Sequence, residues 1–328
     1  MQDVLLAVKD LRVQFQTEKG TLPALQNISF HIRKGETVAL VGESGCGKSV
    51  TSLAIMGLLS KAMTNMEGSI TFRDTKLNQL DKKAIRAIRG NEIAMIFQEP
   101  MTSLNPVHTI GKQLEEVYLL HSDLSKKERQ EKAIEMLKKV GVPRPESIMR
   151  EYPHQLSGGM KQRVMIAMAM ACNPDLLIAD EPTTALDVTI QAQILELMNG
   201  LKENGSTSLL LITHDLGVVA EMADRVLVMY YGEIVEEADV ASLFANPLHP
   251  YTAGLLRCVP DMEDEEERAR LEPIEGSVPL LGEVTQGCAF RFRCPHAHER
   301  CSNEKPPLLA TGSQAVRCWL YENKEMAV

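Results

Sequence analysis

The sequence lacks any excess of positive charge: 35 Lys and Arg stand against 44 Asp and Glu, a net charge of −9. Proteins that grip nucleic acid hold its phosphate backbone through surplus Lys and Arg, so no nucleic-acid partner is expected. Long hydrophobic runs are missing too. The longest candidate, Val164 to Ala171, falls well short of the roughly 18 apolar residues that span a bilayer, so any membrane role is expected to run through a partner. No secretory leader is expected, since the opening MQDVLLAVKD has an acid at Asp3 and no basic segment ahead of an apolar one; the chain is expected to stay in the cytosol. No internal repeat or low-complexity tract occurs. The 328 residues suffice for about two domains, and a chain of this length buries roughly 75% of its unfolded surface, so no disulfide scaffold is needed.

What is present in an uneven way is cysteine. Cys46, Cys172 and Cys258 stand apart, whereas Cys288, Cys294, Cys301 and Cys318 crowd the end of the chain. In a reducing compartment such a cluster reads as metal or cluster ligands before it reads as disulfides.

Residues 4–15 and 27–32 alternate as half-buried strands do, with a turn around Gly20, and predict a small antiparallel layer. The continuous apolar run TVALVG, residues 37–42, ends in glycine and is followed by a helical pattern through Leu53, Ile55, Met56 and Leu59. Further buried strands are predicted at 93–97, 176–180, 208–213 and 225–230, interleaved with helical stretches. That alternation predicts an α/β fold with a parallel sheet covered by helices. Between Met101 and Tyr152 the β-branched runs vanish, and Ser125 with Glu128 three residues on reads as a helix N-cap, so a helical insertion is expected there. After Pro260 the stretch DMEDEEERAR reads as a solvated linker or helix face.

The loop Gly42-Glu43-Ser44-Gly45-Cys46-Gly47-Lys48-Ser49 matches G-x-x-x-x-G-K-[ST] at every fixed position, between a predicted strand and a predicted helix. Its glycines let backbone N–H groups turn toward phosphates, Lys48 reaches the β- and γ-phosphates, and Ser49 ligates Mg²⁺. Cys46 occupies a variable position and reads as a small filler. The run LLIADEP ends in Asp180 and Glu181 at the C-terminal edge of a strand, where parallel sheets place ligands. Asp180 is suited to hold Mg²⁺, and Glu181 to take a proton from the water that attacks the γ-phosphate.

LSGGMKQR, residues 156–163, resembles the signature motif of the ATP-binding-cassette ATPases and lies between the two halves of the nucleotide site, as that family requires. Ser157, Gly158 and Gly159 would open a helix and present a hydroxyl and bare N–H groups to an anion. In the family this motif completes the site of a second cassette, which implies a head-to-tail dimer of two ATPase subunits, alike or distinct, with ATP and Mg²⁺ between them. The resemblance implies further site residues: Gln98 for Mg²⁺ and the attacking water, His214 as the switch histidine, Asp187 in the loop that joins the two sites, Val50 after the phosphate loop, and Phe15 as the ring against adenine. For Phe15 a place in the core is the competing reading. The implied fold is a P-loop NTPase cassette over residues 1–258: a mainly parallel core, an antiparallel β subdomain and an α-helical subdomain at about 101–155. A small cysteine-rich extension follows over 259–328.

QEPMTSLNP, residues 98–106, and NPLHPYTAGLL, residues 246–256, resemble the ATPase subunits of dipeptide and oligopeptide importers. That likeness implies two transmembrane permeases, one of which docks a short helix beside Gln98, and an extracellular solute-binding protein that selects cargo. Peptide is the expected cargo, with nickel or a metallophore complex as the alternative. A soluble cassette acting on DNA or ribosomes would bring two cassettes, a coiled-coil or zinc insertion, or a basic face, none of which is evident. The location implied is the cytoplasmic face of the membrane. The tail spacing C-x₅-C-x₆-C-x₁₆-C leaves three readings open: zinc with help from His296 and His298, a [4Fe–4S] cluster, or unligated thiols. The importer likeness favours the cluster, in a structural role, with Trp319 packed beside it.

Overall fold

The apolar runs become strands close to where the sequence puts them. The computed structural model describes residues 4–18, 20–98, 103–183, 188–203, 207–258 and 273–324, so the acidic stretch after Pro260 lies outside the described residues. Two units result, each gathered from separated stretches of chain. One comprises Met1–Leu5, Ile32–Glu36 and Lys76–Ile212; the other comprises Leu6–His31, Thr37–Thr75 and Thr213–Val328.

In the first unit the strands Ile93–Ile96, Leu176–Asp180 and Ser208–Ile212 are parallel, with Ile93 opposite Leu176 and Leu176 opposite Ser208. Every residue of the three is buried, which explains why they read as unbroken apolar runs rather than alternating ones. The helical insertion is present as Ile110–His121, Lys126–Lys139 and Pro145–Ile148. Ser125 does cap the second of these: its hydroxyl accepts from the Glu128 N–H, and the Glu128 carboxylate accepts from the Ser125 N–H at 2.7 Å. The signature motif forms the start of the helix Gly158–Met170. Arg163, on that helix, donates to the Val140 carbonyl at 2.6 Å and so ties it to the insertion.

In the second unit Gly20–Arg33, Val4–Thr17, Thr64–Phe72 and Thr75–Lys76 form a four-stranded sheet in that order. The two central strands pair antiparallel from Leu6 opposite Phe72 to Phe15 opposite Thr64. Thr37–Val41 runs parallel to Arg225–Tyr230, and the sheet continues antiparallel through Glu233–Asp239, Gln314–Val316 and Leu309–Thr311. Glu233–Asp239 carries no apolar alternation because Glu233 and Glu236 are themselves buried. The Glu236 carboxylate accepts from the N–H groups of Leu248 and His249, which offsets the cost of burying it.

The C-terminal segment belongs to the core of this second unit. Phe290 packs edge-on to Tyr230, ring centroids 5.2 Å apart, and tilted to Tyr251 at 5.4 Å. Among the described residues no helix is long and apolar enough to cross a membrane.

Candidate functional site

In the second unit, the buried strand Thr37–Val41 delivers the chain into the phosphate loop, and the helix Lys48–Ile55 leaves it with Gly47 as N-cap. Gly42 has φ +150°, and a Cβ there would stand 2.3 Å from the Met229 carbonyl oxygen, so no other residue fits. Ser44, Gly45 and Ser49 are exposed and Val50 is half-buried. Lys48 is 6% exposed and donates to the carbonyls of Gly42 at 2.6 Å and Glu43 at 3.1 Å, which folds its ammonium back over the loop. Cys46 is fully buried and burial pushes its thiol up, in keeping with a filler.

Glu43, between the first glycine and Ser44, is held on every side. Its N–H donates to the Tyr251 hydroxyl at 2.8 Å, and its carboxylate takes both arms of the Arg293 guanidinium at 2.6 and 3.0 Å. Phe15 is half-buried in its strand. His214 is exposed just after Ser208–Ile212, and Asp215 caps the following helix Leu216–Met222 by accepting from the N–H groups of Gly217 and Val218.

In the first unit, Asp180 closes its strand at 4% exposure, and Glu181 follows with φ +47°. That left-handed backbone costs a non-glycine residue on the order of 1–3 kcal/mol and collects at functional sites. Among its partners, the Glu181 N–H donates to the Ile212 carbonyl at 2.8 Å, and the Gln98 side-chain amide donates to the Glu181 carboxylate at 2.9 Å. Gln98, which the family likeness assigns to Mg²⁺ and the attacking water, thus also holds Glu181, a contact the sequence reading did not indicate. Gln162, which that reading did not single out, donates to the Pro182 carbonyl from the signature helix; its place within LSGGMKQR was the available signal. Ser157 caps the helix by accepting from the Met160 N–H at 3.4 Å, and Ser157 and Gly158 are exposed while Gly159 is half-buried. Asp187 lies outside the described residues.

The family described as "ABC transporter" matches residues 25–184, and the one described as "Oligopeptide/dipeptide transporter, C-terminal region" matches residues 235–301. The chain is 56% identical to the oligopeptide transport ATP-binding protein AppD of Bacillus subtilis, over 98% of each chain. This chain belongs to the ATP-binding-cassette transporter ATPases of the oligopeptide/dipeptide importer type. It is also 51% identical to the dipeptide transport ATP-binding protein DppD of Haemophilus influenzae, over 98% of this chain and 97% of that one. Among solved structures it resembles a dimeric post-hydrolysis state of the ATP-binding cassette MJ0796 bound to ADP and Pi. The TM-score is 0.65 at 30% identity, over 72% of this chain and 98% of that one.

In this importer ATPase the four clustered cysteines form no disulfide and line one cavity together with His249 and Trp319. Gly287, with φ +72°, lets the chain pass so close that a Cβ would stand 2.4 Å from the Cys301 carbonyl oxygen, and the Cys288 N–H donates to that same oxygen at 2.8 Å. Burial, then the neighbouring cysteines, pushes Cys288 and Cys318 up to about 11, and burial raises Cys294. Among the described residues no group of three or more His, Cys, Asp or Glu is close enough to hold a metal ion. His249 accepts from the Tyr251 N–H through Nδ1, and burial, aided by the charge of Arg317, lowers it to about 3, so its ring is neutral. Trp319 stacks under the Arg300 guanidinium, 3.5 Å from the ring centroid, and donates to the Glu304 carbonyl.

Proposed function

We propose that this ATPase powers import of dipeptides or oligopeptides from the cytoplasmic face of the membrane, bound to two permeases, with an extracellular binding protein choosing the cargo. The relatives' names support peptide, and the absence of a membrane-crossing helix among the described residues fits a peripheral subunit. Phe97, an exposed large apolar residue next to Gln98, suits a permease helix docking there.

The observation that carries the catalytic reading is the Glu181 carboxylate, held by Gln98 beside buried Asp180. Glu181 accepts the proton of the attacking water, and Gln98 orients both. Lys48 and the loop from Gly42 to Val50 bind the phosphates, Phe15 lies against the base and His214 contacts the γ-phosphate. Ser49, Asp180 and Gln98 carry the hard oxygen donors that suit Mg²⁺ and would hold it; the ion would supply charge neutralisation to the bound phosphates. Ser157, Gly158, Gly159 and Asp187 act across a head-to-tail dimer on the partner's nucleotide.

For the tail, the donor set suits a [4Fe–4S] cluster better than zinc. Structural zinc commonly uses a C-x₂₋₄-C knuckle, which the C-x₅-C-x₆-C-x₁₆-C spacing of the tail does not contain. A four-iron cube takes its thiolates from farther apart, and four cysteines around one cavity supply that chemistry. Cys288, Cys294, Cys301 and Cys318 would hold it, in a structural role.

Reconstitution with the neighbouring permeases tests the transport reading. Peptide-loaded binding protein should stimulate ATP hydrolysis; stimulation by nickel or metallophore complexes alone would replace peptide as cargo, and no complex with permeases would end the importer reading.

A further inference from the structure

The phosphate loop is gripped by a residue from the far end of the chain. Arg293, whose side chain is 3% exposed, forms a two-armed ion pair with Glu43, Nη1 to Oε2 at 2.6 Å and Nη2 to Oε1 at 3.0 Å. The guanidinium is itself fixed: Nε donates to the Glu275 carbonyl at 3.0 Å and Nη2 to the Ile274 carbonyl at 3.2 Å. It also lies near the rings of Tyr230 and Phe290, with Cζ 6.0 and 5.9 Å from their centroids. On the other side, the Glu43 carbonyl accepts from Lys48 Nζ at 3.1 Å and the Cys46 N–H at 3.3 Å. With its N–H on Tyr251 as well, each polar group of Glu43 has a partner.

We propose that Arg293 is a positioning residue for ATP binding: through Glu43 it sets the conformation of the phosphate loop and cancels a negative charge beside the triphosphate. This rests on the reading of residues 42–49 as the ATP phosphate site. Two physical effects act in the same direction. A loop held in its binding shape pays less conformational entropy when the nucleotide arrives. A carboxylate in the second position of the loop, left unpaired, would repel the polyphosphate in a partly desolvated setting, where charges act more strongly than in water. Arginine is suited to the task because its planar fork meets a carboxylate with two parallel bonds, which lysine cannot do. A buried ion pair need not add stability to the fold, since the desolvation of both charges offsets their attraction; ligand affinity is where this pair acts. Arg293 also directly precedes Cys294, so the cysteine-rich segment and the phosphate loop are joined within one residue.

The test measures Mg-ATP affinity and thermal stability of the full chain, and KM and kcat in the assembled transporter. Arg293→Ala should weaken ATP binding about tenfold, the scale of one lost charged hydrogen-bond pair, with KM rising more than kcat falls. Adding Glu43→Gln to Arg293→Ala should recover much of the affinity, because it removes the unpaired charge. Arg293→Lys, which keeps the charge and loses the fork, should fall between. Folded Arg293→Ala with wild-type affinity would overturn the proposal, as would a double variant no better than the single one. If Arg293→Ala does not fold, Arg293→Lys decides: weakened affinity supports the proposal and wild-type affinity overturns it. Lys48→Ala separates the two levels. If it binds ATP as the wild type does, the phosphate-site reading itself has failed; if it binds weakly while Arg293→Ala does not, only the role of Arg293 has.

Discussion

Gln98 donates its side-chain amide to the Glu181 carboxylate at 2.9 Å, joining residues just past the ends of two adjacent parallel strands. A carboxylate fixed in this way is aimed without being neutralised. Glu181→Gln should therefore leave ATP binding intact and lower turnover by about 10²–10⁴, the usual worth of a general base. Nucleotide binding and phosphate release measured on the same sample check this, and normal hydrolysis would remove Glu181 from that role. Gln98→Ala should lower kcat in the same direction, by less.

Lys48 now spends its ammonium on the carbonyls of Gly42 and Glu43. On the proposed reading of residues 42–49 as the phosphate site those bonds would be exchanged for phosphate oxygens, so Lys48→Ala should weaken ATP affinity itself rather than turnover at saturation. A binding isotherm distinguishes the two.

Ser157 and Gly158 are exposed at the head of their helix. For Ser157→Arg we expect unchanged ATP affinity in the isolated subunit and loss of hydrolysis that depends on dimerisation, with a stability cost of about 1 kcal/mol from the lost cap. An unchanged rate in the assembled transporter would contradict a site shared between subunits.

Cys294→Ser should abolish iron and acid-labile sulfide in anaerobically purified protein, whereas the wild type should carry about four of each per chain. Wild-type protein without iron or sulfide would leave the four cysteines as plain thiols.

His249 is held neutral by burial, its value lowered from the ordinary 6.5 to about 3. Below about pH 6.5 the unfolded chain takes up a proton that the fold refuses, so this contribution to stability is complete above that pH and is lost as pH falls toward 3. The slope approaches about 1.4 kcal/mol per pH unit for one proton. Burial raises Glu236, which accepts the N–H of His249, and its contribution therefore has the opposite sign, stability being gained as pH falls through its raised value. Comparing His249→Gln with the wild type by thermal unfolding between about pH 6.5 and 5 isolates the histidine: the variant should show the shallower acid dependence.

The nucleotide chemistry was legible because it is local. A phosphate loop needs its glycines, Lys48 and Ser49 within eight consecutive residues, and a strand ending in Asp180 and Glu181 announces itself by an apolar run that stops. The buried parallel strands were legible for the same reason. Thr64–Phe72, Glu233–Asp239 and the two short C-terminal strands were not. Their exposed or charged positions are satisfied by partners distant in sequence, such as the backbone groups that make a buried Glu236 tolerable.

Motif spacing determined that the chain carries a nucleoside-triphosphate loop from Gly42 to Ser49 and a strand ending in Asp180 and Glu181, because a phosphate loop must sit between a strand and a helix; Gln98 entered only through the family resemblance. Only the tertiary structure decided that the segment around Phe290 is part of the second unit's core, with Phe290 among Tyr230 and Tyr251, and that Arg293 holds Glu43 across 250 positions of sequence. An ion pair between such distant residues leaves no periodicity and no spacing rule in the chain. It exists because folding places a buried guanidinium against the carboxylate it must neutralise.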